Sequence, residues 1–296
     1  MSKEKLGILQ VIAAALLWGT YGIFVKSLDI PPQIIIFYRY FFGFVGLLVF
    51  VGARDGFTWV GVSVQHWKWL YLPALFTGVS WLAYTYALKY TFIANAAFLT
   101  YTAPVFTVLF APLIIKEKIE SSSIFALVLA LFGTLAIMGY NTLFIGEGVL
   151  TGDLYALAGG IVGGLIISFI KKVPPALSGY RANLIMSGMI TMALLPFLLQ
   201  TPGRLGWQDY LLLMAMGLIH QSLATTLFHT GLRLMKAQYS AVLSYIDPLV
   251  ATIMAGIFLA ETITIGSIIG GILIMVSGVI IVLRNRALPA PERVKA

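Results

Sequence analysis

Apolar residues run through this chain in uninterrupted blocks of about twenty, with single charges and proline pairs between them. A helix of that length crosses the hydrocarbon core of a bilayer, and only a helix or a closed barrel satisfies its backbone there. Ten blocks meet the test, at about residues 6–27, 33–52, 68–88, 92–115, 121–141, 153–171, 178–200, 209–231, 236–259 and 265–283. The pattern predicts an all-α polytopic membrane protein with ten transmembrane helices. The first block is too long for the core of a cleaved signal and is expected to be retained.

One stretch occurs twice. Laying Pro104 on Pro248, an offset of 144, puts Ala97 on Ala241, Leu99 on Leu243, Tyr101 on Tyr245, Glu117 on Glu261 and Ile119 on Ile263. Each half then holds five spans, an odd number, so the second half (144–285) is expected to be inverted relative to the first (1–143). A short tail, 286–296, follows. Inverted repeats with a site between them suit alternating access, the architecture of secondary transport.

Composition sharpens this. The chain is 60% hydrophobic and 10% charged, with mean hydropathy +0.96. The net charge of +8 does not imply nucleic acid as a partner, because a cytoplasmic N-terminus puts 14 of the 19 basic residues in inside segments, as the positive-inside rule requires. Both termini are therefore expected in the cytoplasm, and the partners are the lipid bilayer and a small-molecule substrate. With no cysteine, disulfides and thiolate metal sites are excluded. No Walker-type motif is present to couple ATP.

The pattern of the repeats resembles the EamA-type transporters of the drug/metabolite transporter superfamily. It rests on Trp18-Gly19-Thr20, then Ala87-Leu88, Pro104, Glu117 and Gly133, and in the second half Gly231-Leu232, Pro248, Glu261 and Gly278. It departs where that family has Gly before Glu: Lys116 and Ala260 stand there. The resemblance implies ten spans in two repeats, export of metabolites, amino acids or drugs across a bacterial inner membrane, and no cofactor.

Candidate site residues follow from polar and aromatic groups inside spans. Asp247 is expected to face a cavity or a partner, since an exposed carboxylate at that depth costs about 3 kcal/mol. With His220 it is the candidate for proton coupling. Gln221, Thr225 and His229 share a face at helical spacing, as do Ser240, Ser244 and Asp247. Trp18 and Tyr21, Trp81 and Tyr84, and Phe98 and Tyr101 form aromatic faces, joined by Asn95 and Tyr245. Pro104 and Pro248 are expected to kink their helices and open the cavity. Arg39 and Arg181 are read as snorkelling to the interface, with a grip on an anionic carboxylate as the alternative. Glu117 and Glu261 are read as structural.

The expected function is secondary transport of small organic solutes, amino acids with apolar or aromatic side chains foremost. Multidrug or nucleotide-sugar transport is the alternative. An intramembrane protease would need a Gly-x-Ser-x-Gly setting or two aspartates in spans, and neither is found.

Overall fold

The computed structural model describes residues 3–56, 67–114, 121–144, 147–170, 177–198, 205–234 and 243–284, with no strand among them. The elements are α1 (Lys3–Gly19), α2 (Tyr21–Lys26), α3 (Pro32–Asp55), α4 (Trp67–Tyr90), α5 (Ile93–Thr100), α6 (Ala103–Ile114), α7 (Ser121–Phe144), α8 (Glu147–Ile170), α9 (Gly179–Leu198), α10 (Trp207–Met216), a π-helical stretch (Gly217–Ala224), α11 (Thr225–Leu234), α12 (Ile246–Leu259) and α13 (Ile265–Arg284). Among the described residues, Lys5–Lys26, Pro32–Asp55, Gly148–Ile166, Gly179–Leu198 and Trp207–Gly231 are long and apolar enough to cross a bilayer. Shorter apolar helices accompany them at Ile124–Met138, Ile246–Leu259 and Ile265–Ser277. Leu113, Met192, Ile257 and Phe258 point outward, a surface suited to acyl chains rather than to water. The chain is an integral membrane protein. Glu117, Lys116, Ser240 and the 286–296 tail lie outside the described residues.

Contacts fix the relative directions of the helices. Phe76 meets Phe169, Ser80 Oγ donates to Gly159 O and Tyr86 stacks on Tyr155, so α4 and α8 are antiparallel. Gly7 against Gly231 and Trp18 against His220 make α1 antiparallel to the α10–α11 rod. Phe44 against Gly188 and Asp55 against Arg181 do the same for α3 and α9. Gly133 against Gly270, with Tyr140 against Gly266, pairs α7 antiparallel to α13. The α5–α6 rod runs parallel to α8, from Thr100–Ala156 to Thr107–Gly164. It runs antiparallel to α12, from Ile93–Glu261 to Tyr101–Asp247. Finally, α1–α2 runs parallel to α12, with Gly19 on Val250 and Lys26 on Glu261.

Small residues permit the closest of these approaches. A Cβ on Gly133 would come 2.8 Å from the Gly270 carbonyl oxygen, and one on Gly164 would meet the Phe106 Cβ at 2.6 Å. These glycines serve contacts within the chain, where they bring backbones together.

The prolines act differently from a kink in a continuous rod. α5 ends at Thr100, and a new helix starts with the Thr102 carbonyl accepting from Val105 N at 2.9 Å and Phe106 N at 3.3 Å. Pro104 is then the second residue of α6 and Pro248 the third of α12. In a first turn the missing N–H would have had no partner in any case. The breaks themselves fall on the repeated tyrosines, Tyr101 (φ −73°, ψ 8°) and Tyr245 (φ −67°, ψ −7°).

Ala260 closes α12 in the left-handed region (φ 51°, ψ 30°). It is the only non-glycine with positive φ among the described residues. A side chain there costs about 1–2 kcal/mol, which accounts physically for glycine before the glutamate in the resembling family. Ala260→Gly is expected to raise the thermal midpoint in detergent, by about 1 kcal/mol of stability after the entropy of the unfolded glycine is discounted. A midpoint that falls would show that the Ala260 methyl makes contacts worth more than the strain.

Candidate functional site

Near the two tyrosine breaks lies a cavity of about 110 Å³, lined by Trp18, Ser80, Trp81, Tyr84, Ala97, Thr100, Tyr101 and Asp247. Both breaks matter to it. The first turns Tyr101 so that its hydroxyl donates to Asp247 Oδ2 at 2.8 Å. The second places Asp247 in the opening turn of α12 and sets the Tyr245 ring at a tilt of 47° to that of Tyr101, centroids 5.5 Å apart. Asp247 is 9% exposed and brings the one carboxylate to the cavity wall.

The remaining walls are aromatic. Trp81 packs edge-on to Tyr21 at 5.3 Å and to Tyr84 at 5.7 Å, and Trp18 stands 6.5 Å from Trp81. Two of the rings are anchored by hydrogen bonds. The Trp18 indole N–H donates to the His220 carbonyl at 3.1 Å, and the Tyr21 and Thr85 hydroxyls bond at 2.8 Å. The His220 carbonyl, which Thr225 Oγ1 also reaches at 3.1 Å, is available because the π-helical stretch disturbs the usual i→i−4 ladder. Ser80 and Thr100 donate to carbonyls of α8, Gly159 at 2.8 Å and Ala156 at 3.3 Å.

Of the residues expected at a cavity, Trp18, Trp81, Tyr84, Tyr101 and Asp247 line this one. Tyr21, Asn95, Phe98, His220, Gln221, Thr225, Ser244 and Tyr245 stand elsewhere. Gln221 donates to Asn183 Oδ1 at 2.8 Å and to Ser187 Oγ at 3.0 Å, tying the π stretch to α9. His220 Nε2 bonds Thr20 Oγ1 at 2.9 Å, and its ring packs on Phe24 and Tyr21. Phe98 covers Gly271 of α13. The Tyr245 ring lies 5.5 Å from that of Tyr101. Asn95 accepts from Ser267 Oγ and bonds Thr91 Oγ1.

Asn95 belongs to a second polar cluster, at the Lys26 end of the bundle. Lys26 Nζ reaches Glu261 Oε1 at 2.5 Å and the Thr91 carbonyl at 2.9 Å. Glu261 Oε2 accepts the Ile93 backbone N–H at 2.8 Å, and Thr91 Oγ1 donates to Asp153 Oδ1 at 2.6 Å. Asp153 is fully buried. Asp247 is therefore not alone as a carboxylate within the helices, a correction to the sequence reading, which placed Asp153 at a span edge. At the other end, Arg181 grips Asp55 Oδ2 through Nε at 3.0 Å and Nη2 at 2.9 Å.

Arg39 overturns the snorkelling expectation. Its side chain is fully buried, and its guanidinium lies 3.6 Å from the Trp81 ring centroid and 4.5 Å from that of Tyr21. The signal was its depth: α3 begins at Pro32, so Arg39 stands about 10 Å in at 1.5 Å per residue, with aromatic neighbours on both sides.

A lipid-facing helical bundle thus surrounds a cavity with aromatic walls and the Asp247 carboxylate. An uncharacterized transporter of Archaeoglobus fulgidus is 28% identical over 95% of this chain and 97% of its own length. The uncharacterized transporter YoaV of Bacillus subtilis is 25% identical over 93% of this chain and 94% of its own. A crystal structure of another protein, 21% identical, superposes with a TM-score of 0.63 over 96% of this chain and 99% of that one. Residues 5–139 and 150–284 each match the EamA-like transporter family, and the chain, a membrane transporter and not an enzyme, belongs to that family.

Proposed function

We propose that the protein exports small organic solutes, amino acids with apolar or aromatic side chains foremost, by alternating access around the Asp247 cavity. The observation that carries the reading is the lining itself. Trp18, Trp81 and Tyr84 offer ring faces to an apolar side chain, while Asp247 with the Tyr101 hydroxyl offers a charged acceptor to a substrate ammonium. The inverted repeat is supported by the helix directions. The rods α1–α2, α3, α4, α5–α6 and α7 run opposite to α8, α9, α10–α11, α12 and α13 in turn, and both repeats break at the equivalent tyrosine. In this reading there are ten spans in a bacterial inner membrane with both termini cytoplasmic. The Lys26–Glu261 cluster is then the outer closure and the Arg181–Asp55 pair sits on the inner side. Asp247 is the group through which a proton gradient couples.

The test is counterflow in proteoliposomes with a panel of radiolabelled amino acids, with and without a pH gradient. Exchange of apolar and aromatic members ahead of charged ones is expected. Exchange of none of the panel would sink the substrate class.

A further inference from the structure

The Arg39 guanidinium does not line the cavity. It is fully buried, its Nε and Nη1 have no hydrogen-bond partner, and among the described residues no carboxylate lies within ion-pair distance of it. A buried cation without an anion costs several kcal/mol. The Trp81 and Tyr21 rings at 3.6 and 4.5 Å return about 2 kcal/mol or more when the site is dry, and leave Nε and Nη1 without a hydrogen-bond partner. Packing alone would be served better by an apolar residue.

Its surroundings are empty-handed in the same way. The Tyr40 hydroxyl and His220 Nδ1 are also buried without partners. Tyr40 has its ring 5.6 Å from the guanidinium, and His220 packs against Tyr21, which the guanidinium also touches. Trp81 links this group to the cavity, since the ring that covers Arg39 also lines the wall that Asp247 shares. The cation thus stands one side chain behind a cavity whose wall carries the anion.

We propose that Arg39 is the carboxylate-recognition residue of the transport site, reached when Trp81 moves aside, so that a zwitterionic amino acid is held with its carboxylate at Arg39 and its ammonium at Asp247. This rests on the amino-acid reading of the cavity and goes beyond it by assigning each charge of the substrate. A zwitterion satisfies both buried charges at once. An uncharged solute of the same shape satisfies neither, and a site built for a polar group rejects the analogue that lacks it far more strongly than a merely apolar pocket does.

The experiment takes the amino acid of the panel that exchanges fastest and its methyl ester, which keeps the ammonium and masks the carboxylate. Wild-type protein is expected to favour the acid over the ester by about 100-fold or more in kcat/KM. Arg39→Gln is expected to collapse that ratio by lowering transport of the acid while the ester is unchanged. Arg39→Lys, which keeps the charge but not the planar fork, is expected to fall between. Equal transport of acid and ester by the wild type overturns the assignment without any variant. So does an unchanged acid-to-ester ratio in Arg39→Lys or Arg39→Gln, which marks a structural role. If neither the acid panel nor any ester exchanges, the amino-acid reading fails and this assignment with it; if the acids exchange and the ratio holds, only Arg39 is lost.

Discussion

Replacement of Asp247 by asparagine is expected to lower transport at least tenfold, the loss of about 1.4 kcal/mol of differential stabilisation, and to flatten its dependence on pH. The asparagine is nearly isosteric, and its Oδ1 can still accept from the Tyr101 hydroxyl that now bonds Asp247 at 2.8 Å. The start of α12 and the Tyr101–Tyr245 ring contact should therefore persist, and the variant should remain monodisperse in detergent. What it loses is the negative charge proposed to meet a substrate ammonium and the ability to bind and release a proton. A carboxylate at this depth, with one hydroxyl for a partner, is a poor stabiliser, so its removal should leave stability unchanged or raise it. Tyr101→Phe is the companion measurement: it removes only the donor and should retain pH dependence. Unchanged flux in Asp247→Asn at every pH would take Asp247 out of the mechanism.

What the sequence disclosed of this site, and what it did not, divides by the range of the interaction. Periodicity and composition gave the helices, and the offset between Pro104 and Pro248 pointed to paired interruptions, because a proline acts on its own turn. Trp18, Trp81, Tyr84, Tyr101 and Asp247 were legible as apolar-block residues with polar or aromatic character, and they line one cavity. Gln221 and Thr225 were placed on a common face by a 3.6-residue period that does not hold through the π-helical Gly217–Ala224, where each extra residue rotates the face. Arg39, one turn or two inside its span by sequence, was misjudged because the rings that cover it, Trp81 and Tyr21, come from other helices. Glu261 was read as structural without partners in view, since those partners, Lys26 and Ile93, stand 235 and 168 residues away. No local pattern encodes such a meeting; it comes from the antiparallel course of α5–α6 and α12.

Replacement of Glu261 by glutamine is expected to open the Lys26 end of the bundle to solvent. The side chain joins three segments: Oε1 holds Lys26 of α2 at 2.5 Å, Oε2 takes the first N–H of α5 at 2.8 Å, and its backbone follows the left-handed Ala260 that turns it inward. Glutamine can keep the Ile93 N–H on its carbonyl oxygen but offers Lys26 no charge. The pair is partly shielded, with side chains 25% and 11% exposed, and loss of one member of such a pair is more costly than its net worth because the other is left uncompensated. A shift of about 1.4 kcal/mol between the closed and open states changes their ratio tenfold. The chain has no cysteine, so Ala97→Cys on the cavity wall supplies a single thiol without further engineering. Its reaction with a membrane-impermeant maleimide added on the side of the Lys26 end, the outer side in the proposed orientation, should be about tenfold faster in the Glu261→Gln background, and Lys26→Gln should reproduce the effect, whereas the double variant should add little to either. Equal labelling rates in all four proteins would show that the cluster holds the helix ends together without governing access, and the closure of this side would then rest on the buried Asp153–Thr91–Asn95–Ser267 chain.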